Sequence, residues 1–180
     1  LSRRMKMLIG KFMAETGGSI AGLEFKLHDF GFRGVSSVES AAIGGLAHLV
    51  NFRGSDTVAA LVAGRNYYDE PMAGVSIPAS DHSTMTSWGG PLGESAAMAN
   101  MLKLYPTGLV ACVSDSYDIY RACERIWGSE LKQQVLARDG CLVIRPDSGD
   151  PLEVLPKVLD ILGHNFGYTT NFLGYKVLNP

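Results

Sequence analysis

Short apolar, strand-like runs alternate with amphipathic helical stretches about six times along the chain, at spacings of roughly 25–35 residues. No other feature constrains the fold as tightly, because this alternation is the pattern of parallel α/β proteins. Met5, Leu8, Ile9, Phe12 and Met13 recur at i, i+3, i+4, i+7 and i+8, which predicts a helix that Thr16-Gly17-Gly18 stops. Leu23, Phe25 and Leu27 alternate with Glu24, Lys26 and His28, which predicts a strand ending near Phe30. Ser36 and Glu39 have the spacing of a capping box, opening a helix through Ala41, Ile43, Leu46 and Leu49. Further strands are expected at 50–52, 75–77, 109–113 and 142–144, with a sixth beginning at 175–178. Between them, helices are expected at 57–67, capped by Asp56, and at 94–104, with a methionine-rich face. Others follow at 118–127, at 131–137 and, opened by Pro151, at 152–162.

Length and charge narrow the class further. The 180 residues suit one α/β layer system, with no repeat, low-complexity segment or long polar linker. Sixteen Lys and Arg against 18 Asp and Glu give a net charge of −2, without the basic patch of a nucleic-acid or anionic-membrane binder. Apolar residues make up 46% and charged ones only 19%, which argues against disorder. The longest nearly apolar stretch, 41–50, falls well short of the roughly 20 residues that span a bilayer. Three cysteines, Cys112, Cys123 and Cys141, have neither CxxC nor Cys/His ligand spacing. They read as buried small side chains rather than disulfides or zinc ligands.

The polar residues gather after the predicted strands. The clusters are His28-Asp29-Phe30-Gly31-Phe32-Arg33-Gly34, Arg53-Gly54-Ser55-Asp56 and Ser80-Asp81-His82-Ser83, then Ser114-Asp115-Ser116-Tyr117-Asp118 and Arg145-Pro146-Asp147-Ser148-Gly149-Asp150. In parallel α/β proteins the C-terminal strand edge is where ligands bind, so five segments are expected to converge on one mouth. Arg33 and Arg145, each flanked by Gly or Pro, suit phosphate. Neither GxxxxGK[ST] nor GxGxxG occurs, which excludes P-loop and dinucleotide-fold readings. The residues alone therefore point to a phosphate-handling α/β enzyme. Each also has a structural alternative: Arg33 as a surface ion pair, Phe30 as core, Asp56 and Ser36 as helix caps, His82 as a cap-region histidine. His48, on the apolar helix, reads as a satisfied core or interface histidine, and the methionines from Met85 to Met101 as core packing.

These clusters resemble the nicotinamide phosphoribosyltransferases of the type II phosphoribosyltransferase family. The matching runs are LHDFGFRGVSS from Leu27, AHLVNFRGSDT from Ala47, SIPASDHS from Ser76, SDSYDIY from Ser114 and IRPDSG from Ile144. They lie in order over essentially the whole chain. The fold implied is a partial (β/α) barrel, its parallel strands alternating with helices. The activity implied is transfer of phosphoribosyl from 5-phosphoribosyl 1-pyrophosphate (PRPP) to nicotinamide, giving nicotinamide mononucleotide and pyrophosphate in NAD biosynthesis.

By position, the resemblance implies that Phe30 stacks on the nicotinamide ring, Arg33 binds near ring and pyrophosphate, and Ser76 lines the ring tunnel. Asp56 would accept from the carboxamide NH2 and repel the carboxylate of nicotinate. Arg145 would hold phosphate and Asp147 the ribose hydroxyls. His82 would be phosphorylated by ATP, coupling ATP hydrolysis to product formation. Asp115 would stand behind His82, and so would Asp81, although the family carries the longer Glu there. Mg2+ would ride on the pyrophosphate, with no protein ligand assigned. A cytoplasmic homodimer with sites at the subunit interface completes the implication.

Two alternatives remain open from sequence. One is a nicotinate phosphoribosyltransferase, against which Asp56 and SDSYDIY argue. The other is a catalytically silent fragment or interaction module. The chain starts without Met and stops at Asn179-Pro180 after a predicted strand, so it is expected to be the middle of a longer enzyme. On that expectation residues 1–180 are an incomplete α/β-barrel catalytic domain, lacking an N-terminal domain and the last barrel strands.

Overall fold

Three short two-stranded sheets, two parallel and one antiparallel, run among helices in a computed structural model that describes residues 1–179. The contacts group the chain into two compact units. The first holds residues 1–76 and 172–175; the second holds 77–171 and 176–180.

The first unit opens with α1 (Ser2–Gly17), whose last turn closes on Gly18 in the left-handed conformation. The alternating run that reads as a strand in sequence instead forms a 3-10 turn at Leu23–Phe25, and only His28–Asp29 (β1) is extended. Alternation alone cannot make a strand; a partner must accept its hydrogen bonds, and here only two residues have one. That partner is Gly54–Ser55 (β2), parallel and in register His28 with Gly54 and Asp29 with Ser55. The second strand therefore lies beyond the expected 50–52, where Phe52 instead turns fully inward. An isolated parallel bridge from Gly54 to Val75 adds a third extended segment.

Two helices cover these strands. The first, α2 (Val38–Leu49), starts on Ser37, which accepts from the Ser40 N–H, so Ser37 and not Ser36 is the cap. Its partner α3 (Val58–Tyr68) starts after Thr57 rather than on Asp56. The helices pack closely because Gly45 has no side chain: a Cβ there would lie 2.5 Å from Ala60 Cβ. Gly45→Ala would force them apart.

In the second unit, β3 (Val110–Val113) is buried along its whole length and pairs in parallel with β4 (Leu142–Arg145). A parallel bridge from Ala79 to Ala111 lies on the other side of β3. Behind the strands stand α4 (His82–Thr86), α5 (Glu94–Leu104), α6 (Ile119–Arg121) and α7 (Lys132–Leu136). From α6 the chain winds into a π-helical stretch over Ala122–Glu130, which brings Trp127 wholly into the core. Met85, Met98, Met101, Val110, Val113 and Ile126 surround it. Burying each such side chain contributes about 1.5–3 kcal/mol.

The last helix, α8 (Pro151–Phe166), is capped by Asp150, with Pro151 at its first position, and packs Val154, Val158 and Leu162 against Ile119 and Cys123. The final segment departs from the expected alternation. Tyr168–Thr170 (β5) and Lys176–Leu178 (β6) form an antiparallel hairpin instead of a further parallel strand. Among the described residues no helix is long and apolar enough to cross a membrane.

Candidate active site

Parallel pairing places the ends of neighbouring strands at one edge, and the polar clusters emerge there in each unit. In the first unit, Asp56 follows β2 and its N–H donates to the Asp29 carbonyl at 2.9 Å. That bond continues the ladder one step past the strand, which is why Asp56 does not serve as a helix cap. Its carboxylate instead receives two neighbours on one oxygen. Ser76 donates its hydroxyl to Oδ1, and His28 Nε2 lies 3.2 Å from the same atom.

His28 is held from both sides. Gly54 packs against it so closely that a Cβ there would fall 2.7 Å from Nδ1. The ring of Phe30 lies 4.6 Å away, tilted by 31°. Half of the Phe30 surface remains exposed, which suits a platform for a flat ligand better than a core role. Arg33 sits on the exposed 3-10 turn Gly31–Gly34 that follows. The turn itself is fixed where the Gly31 N–H donates to Asp29 Oδ1 at 2.8 Å. His48 is half-buried, bonded through Nε2 to the Gly54 carbonyl at 2.8 Å and stacked on Phe52.

In the second unit the hub is Asp115, two residues past the end of β3, whose side chain is only 4% exposed. His82 Nε2 meets its Oδ1 at 2.9 Å. Its Oδ2 accepts from the Asp147 N–H at 2.9 Å and from the Ser148 hydroxyl. Burial pushes the Asp115 carboxyl up, but the Ser148, Asp147 and His82 contacts outweigh it and hold the group below the usual carboxylate range. On the other side of the imidazole, Nδ1 lies 3.8 Å from Asp147 Oδ2. His82 is thus flanked by two carboxylates from two strand ends.

Asp81 does something else: it is the N-cap of α4, accepting from the Ser83 N–H. The shorter Asp suits that local bond. Arg145, the last residue of β4, donates through Nη2 to the Ser80 carbonyl at 3.3 Å. A hollow of about 280 Å3 opens beside the following loop, lined in part by Pro146, Asp147, Ser148 and Gly149. Among the described residues no group of three or more His, Cys, Asp and Glu is arranged to hold a metal ion.

The site residues read from sequence thus fall into two sets: Phe30, Arg33, Asp56 and Ser76 in the first unit, and Asp81, His82, Asp115, Arg145 and Asp147 in the second. Two further contributors carry little signal in the sequence. Ser148 lay within a noted cluster but had no assigned role. The buried chain from Trp127 Nε1 to Ser114 Oγ (3.1 Å) and on to the Cys112 carbonyl (2.9 Å) steadies β3 just before Asp115. His28, a residue of the motif that from sequence could equally have served a subunit interface, is placed beside Asp56.

Both units are built on parallel strand pairs among helices, the mark of a mixed α/β protein, and each presents polar groups after its strands: Phe30 and the braced Asp56 in the first, the carboxylate-flanked His82 and Arg145 in the second. The chain matches the nicotinate phosphoribosyltransferase (NAPRTase) family over residues 25–178, and it belongs to that family. It is 51% identical over 99% of its length to a nicotinamide phosphoribosyltransferase of Xanthomonas campestris pv. campestris, and 34% identical to one of Acinetobacter baylyi over 97%. A nicotinamide phosphoribosyltransferase of Mycoplasma pneumoniae is 36% identical over 99% of the chain. The chain spans about two-fifths of the length of these relatives: 39%, 38% and 40% respectively.

Proposed function

We propose that this chain carries the nicotinamide-reading and phosphate-handling residues of an enzyme that transfers phosphoribosyl from PRPP to nicotinamide, in NAD biosynthesis. The observation that carries the reading is the Asp56 carboxylate, braced on Oδ1 by Ser76 and His28, with His28 in turn packed on the exposed ring of Phe30. An anion fixed beside a flat ring accepts from an amide NH2 and repels a carboxylate, which favours nicotinamide over nicotinate. Relatives named nicotinamide phosphoribosyltransferase support the same choice.

The reaction needs no strong base, because the pyridine nitrogen already holds a lone pair. It attacks C1 of the ribose as the bond to pyrophosphate breaks, through an oxocarbenium-like transition state. Positioning and electrostatics supply the catalysis. Arg33 and Arg145 would stabilise the departing pyrophosphate, which brings Mg2+ with it as part of the substrate. Asp147 would turn from His82 to the ribose hydroxyls, a movement its exposed position allows.

ATP is proposed as the coupling phosphoryl donor to His82. Asp115 fixes the proton on Nε2, leaving the lone pair on Nδ1. Attack by Nδ1 on the γ-phosphorus forms the N–P bond and breaks the P–O bond to ADP. A partial (β/α) barrel is proposed as the parent fold, supported by the parallel pairs β1–β2 and β3–β4. A cytoplasmic homodimer with interfacial sites belongs to the same proposal.

The test is turnover of nicotinamide or nicotinate with PRPP and Mg2+ by the full-length protein. Nicotinamide mononucleotide and pyrophosphate are expected, nicotinamide is expected to outcompete nicotinate, and Asp56→Asn should weaken that preference. Equal use of both acids and amides by the unmutated protein would overturn the Asp56 assignment.

A further inference from the structure

We propose that His28 is a positioning residue that sets the amide specificity of the site by holding Asp56 as an oriented anion; this rests on the function proposed above.

Three observations support it. First, the imidazole is wedged: Gly54 lies against Nδ1, where any Cβ would come within 2.7 Å, and Phe30 lies 4.6 Å away on another side. His48 fixes the Gly54 carbonyl from behind at 2.8 Å, so the wall against which His28 rests is itself anchored. Second, the wedge aims Nε2 at Asp56 Oδ1, 3.2 Å away, and shuts that nitrogen from solvent without completing a hydrogen bond. A buried nitrogen in that state is costly, and the cost falls when the contact tightens. Contacts of this kind are often long in a ligand-free site and close up when the ligand binds. Third, Ser76 donates to the same oxygen, so both donors meet Oδ1. The amide acceptor is then Oδ2, pointed by a carboxylate whose other oxygen is already claimed.

The chemistry follows from donors and acceptors: Nε2 of His28 can offer an N–H to Asp56 Oδ1, 3.2 Å away. A carboxylate ligand would set a second acceptor of like charge against Asp56, with no donor between them. The Ser76 bond and the approach of His28 keep Oδ1 occupied, so Asp56 cannot swing away from such a ligand. Without His28 the carboxylate would lose one of its two neighbours on Oδ1 and its orientation would loosen. Affinity for the amide would fall and rejection of the acid would weaken together. Because His28 also touches Phe30, it ties the acceptor for the amide to the proposed platform for the ring.

The experiment compares the full-length protein with His28→Phe, which keeps a ring against Phe30 but removes the donor, and His28→Gln, whose Nε2 can still donate. A hydrogen bond to a charged group is worth at least a factor of about ten. We therefore expect His28→Phe to raise KM for nicotinamide about tenfold with kcat little changed. The ratio of kcat/KM for nicotinamide over nicotinate should fall about tenfold, and His28→Gln should restore most of both. Should circular dichroism show that His28→Phe does not fold, His28→Asn, whose amide stops short of Asp56, takes its place. A donor-free variant with unaltered KM and ratio would overturn the inference, as would a folded His28→Gln as impaired as His28→Phe. If the unmutated protein makes no mononucleotide from nicotinamide, the underlying functional reading fails, and this inference with it.

Discussion

Replacing Asp115 by Asn removes one charge from the most heavily bonded carboxylate of the second unit. Asp115 accepts from His82, from the Asp147 N–H and from Ser148. Asn keeps one acceptor oxygen. Turned toward Asp147 and Ser148, it holds both donors but as neutral bonds, each weaker by about 1 kcal/mol than the charge-assisted pair. Its NH2 then faces His82 Nε2, which must give up its proton and accept. The expected cost is about 2 kcal/mol, or roughly 4–8 °C in Tm for a chain of this size. The pH dependence has a definite sign. Asp115 titrates below its ordinary range, so its stabilisation is full above about pH 4, the unfolded value, and is lost as pH falls through the lower folded value. The gap between wild type and variant should therefore narrow in acid. Thermal unfolding followed by Trp127 emission is the assay, since Trp127 is fully buried and bonded to Ser114, next to Asp115. Trp88→Phe removes the only other tryptophan. A difference at pH 7 below about 1 °C, or one undiminished at pH 3, would refute the reasoning.

Three further outcomes are expected. Incubation of the full-length protein with ATP should give an acid-labile phosphate that His82→Ala abolishes; a label that survives puts the acceptor elsewhere. Arg121 pairs at 3.1 Å with the wholly buried Glu94, whose carboxyl burial pushes up against the opposing pull of Arg121. Arg121→Ala should cost about 3 kcal/mol at pH 7.5 by urea unfolding, because it leaves a buried charge alone. The raised value means that Glu94 protonates more easily in the folded chain, so the loss should be smaller at pH 5, and an equal loss at both pH values would contradict this account. Burial raises the Cys112 and Cys123 thiols to about 11 and about 12. A thiol reagent at pH 8 should therefore label Cys141 first and reach the other two only on unfolding.

The helices were the most legible part of the sequence. Residues 94–104 form α5 with the expected bounds, and Pro151 opens α8 as its fixed φ requires. Helix signals are local, carried by periodicity, caps and breakers within a few residues. Strands depend on partners elsewhere in the chain. Leu23, Phe25 and Leu27 alternate well and still fall in a 3-10 turn and a bend, whereas Gly54–Ser55, with no strand signal of its own, pairs with His28–Asp29. Segment 176–178 is extended as expected, yet its partner is the adjacent β5, which turns a parallel expectation into a hairpin.

The candidate site divides along the same line. Sequence alone determined that acids, a histidine, hydroxyls and arginines follow the strands, since that is a matter of order along the chain. Which acid serves which group was decided only by tertiary structure. Asp81 adjoins His82 in sequence but caps a helix, while Asp115, 33 residues away, holds the imidazole. Asp56 has the spacing of a cap but bonds back to Asp29 and is braced by His28 and Ser76. The physical reason is that a carboxylate spends its lone pairs on whichever donors parallel pairing brings to its edge, and strand register is settled by contacts between distant residues.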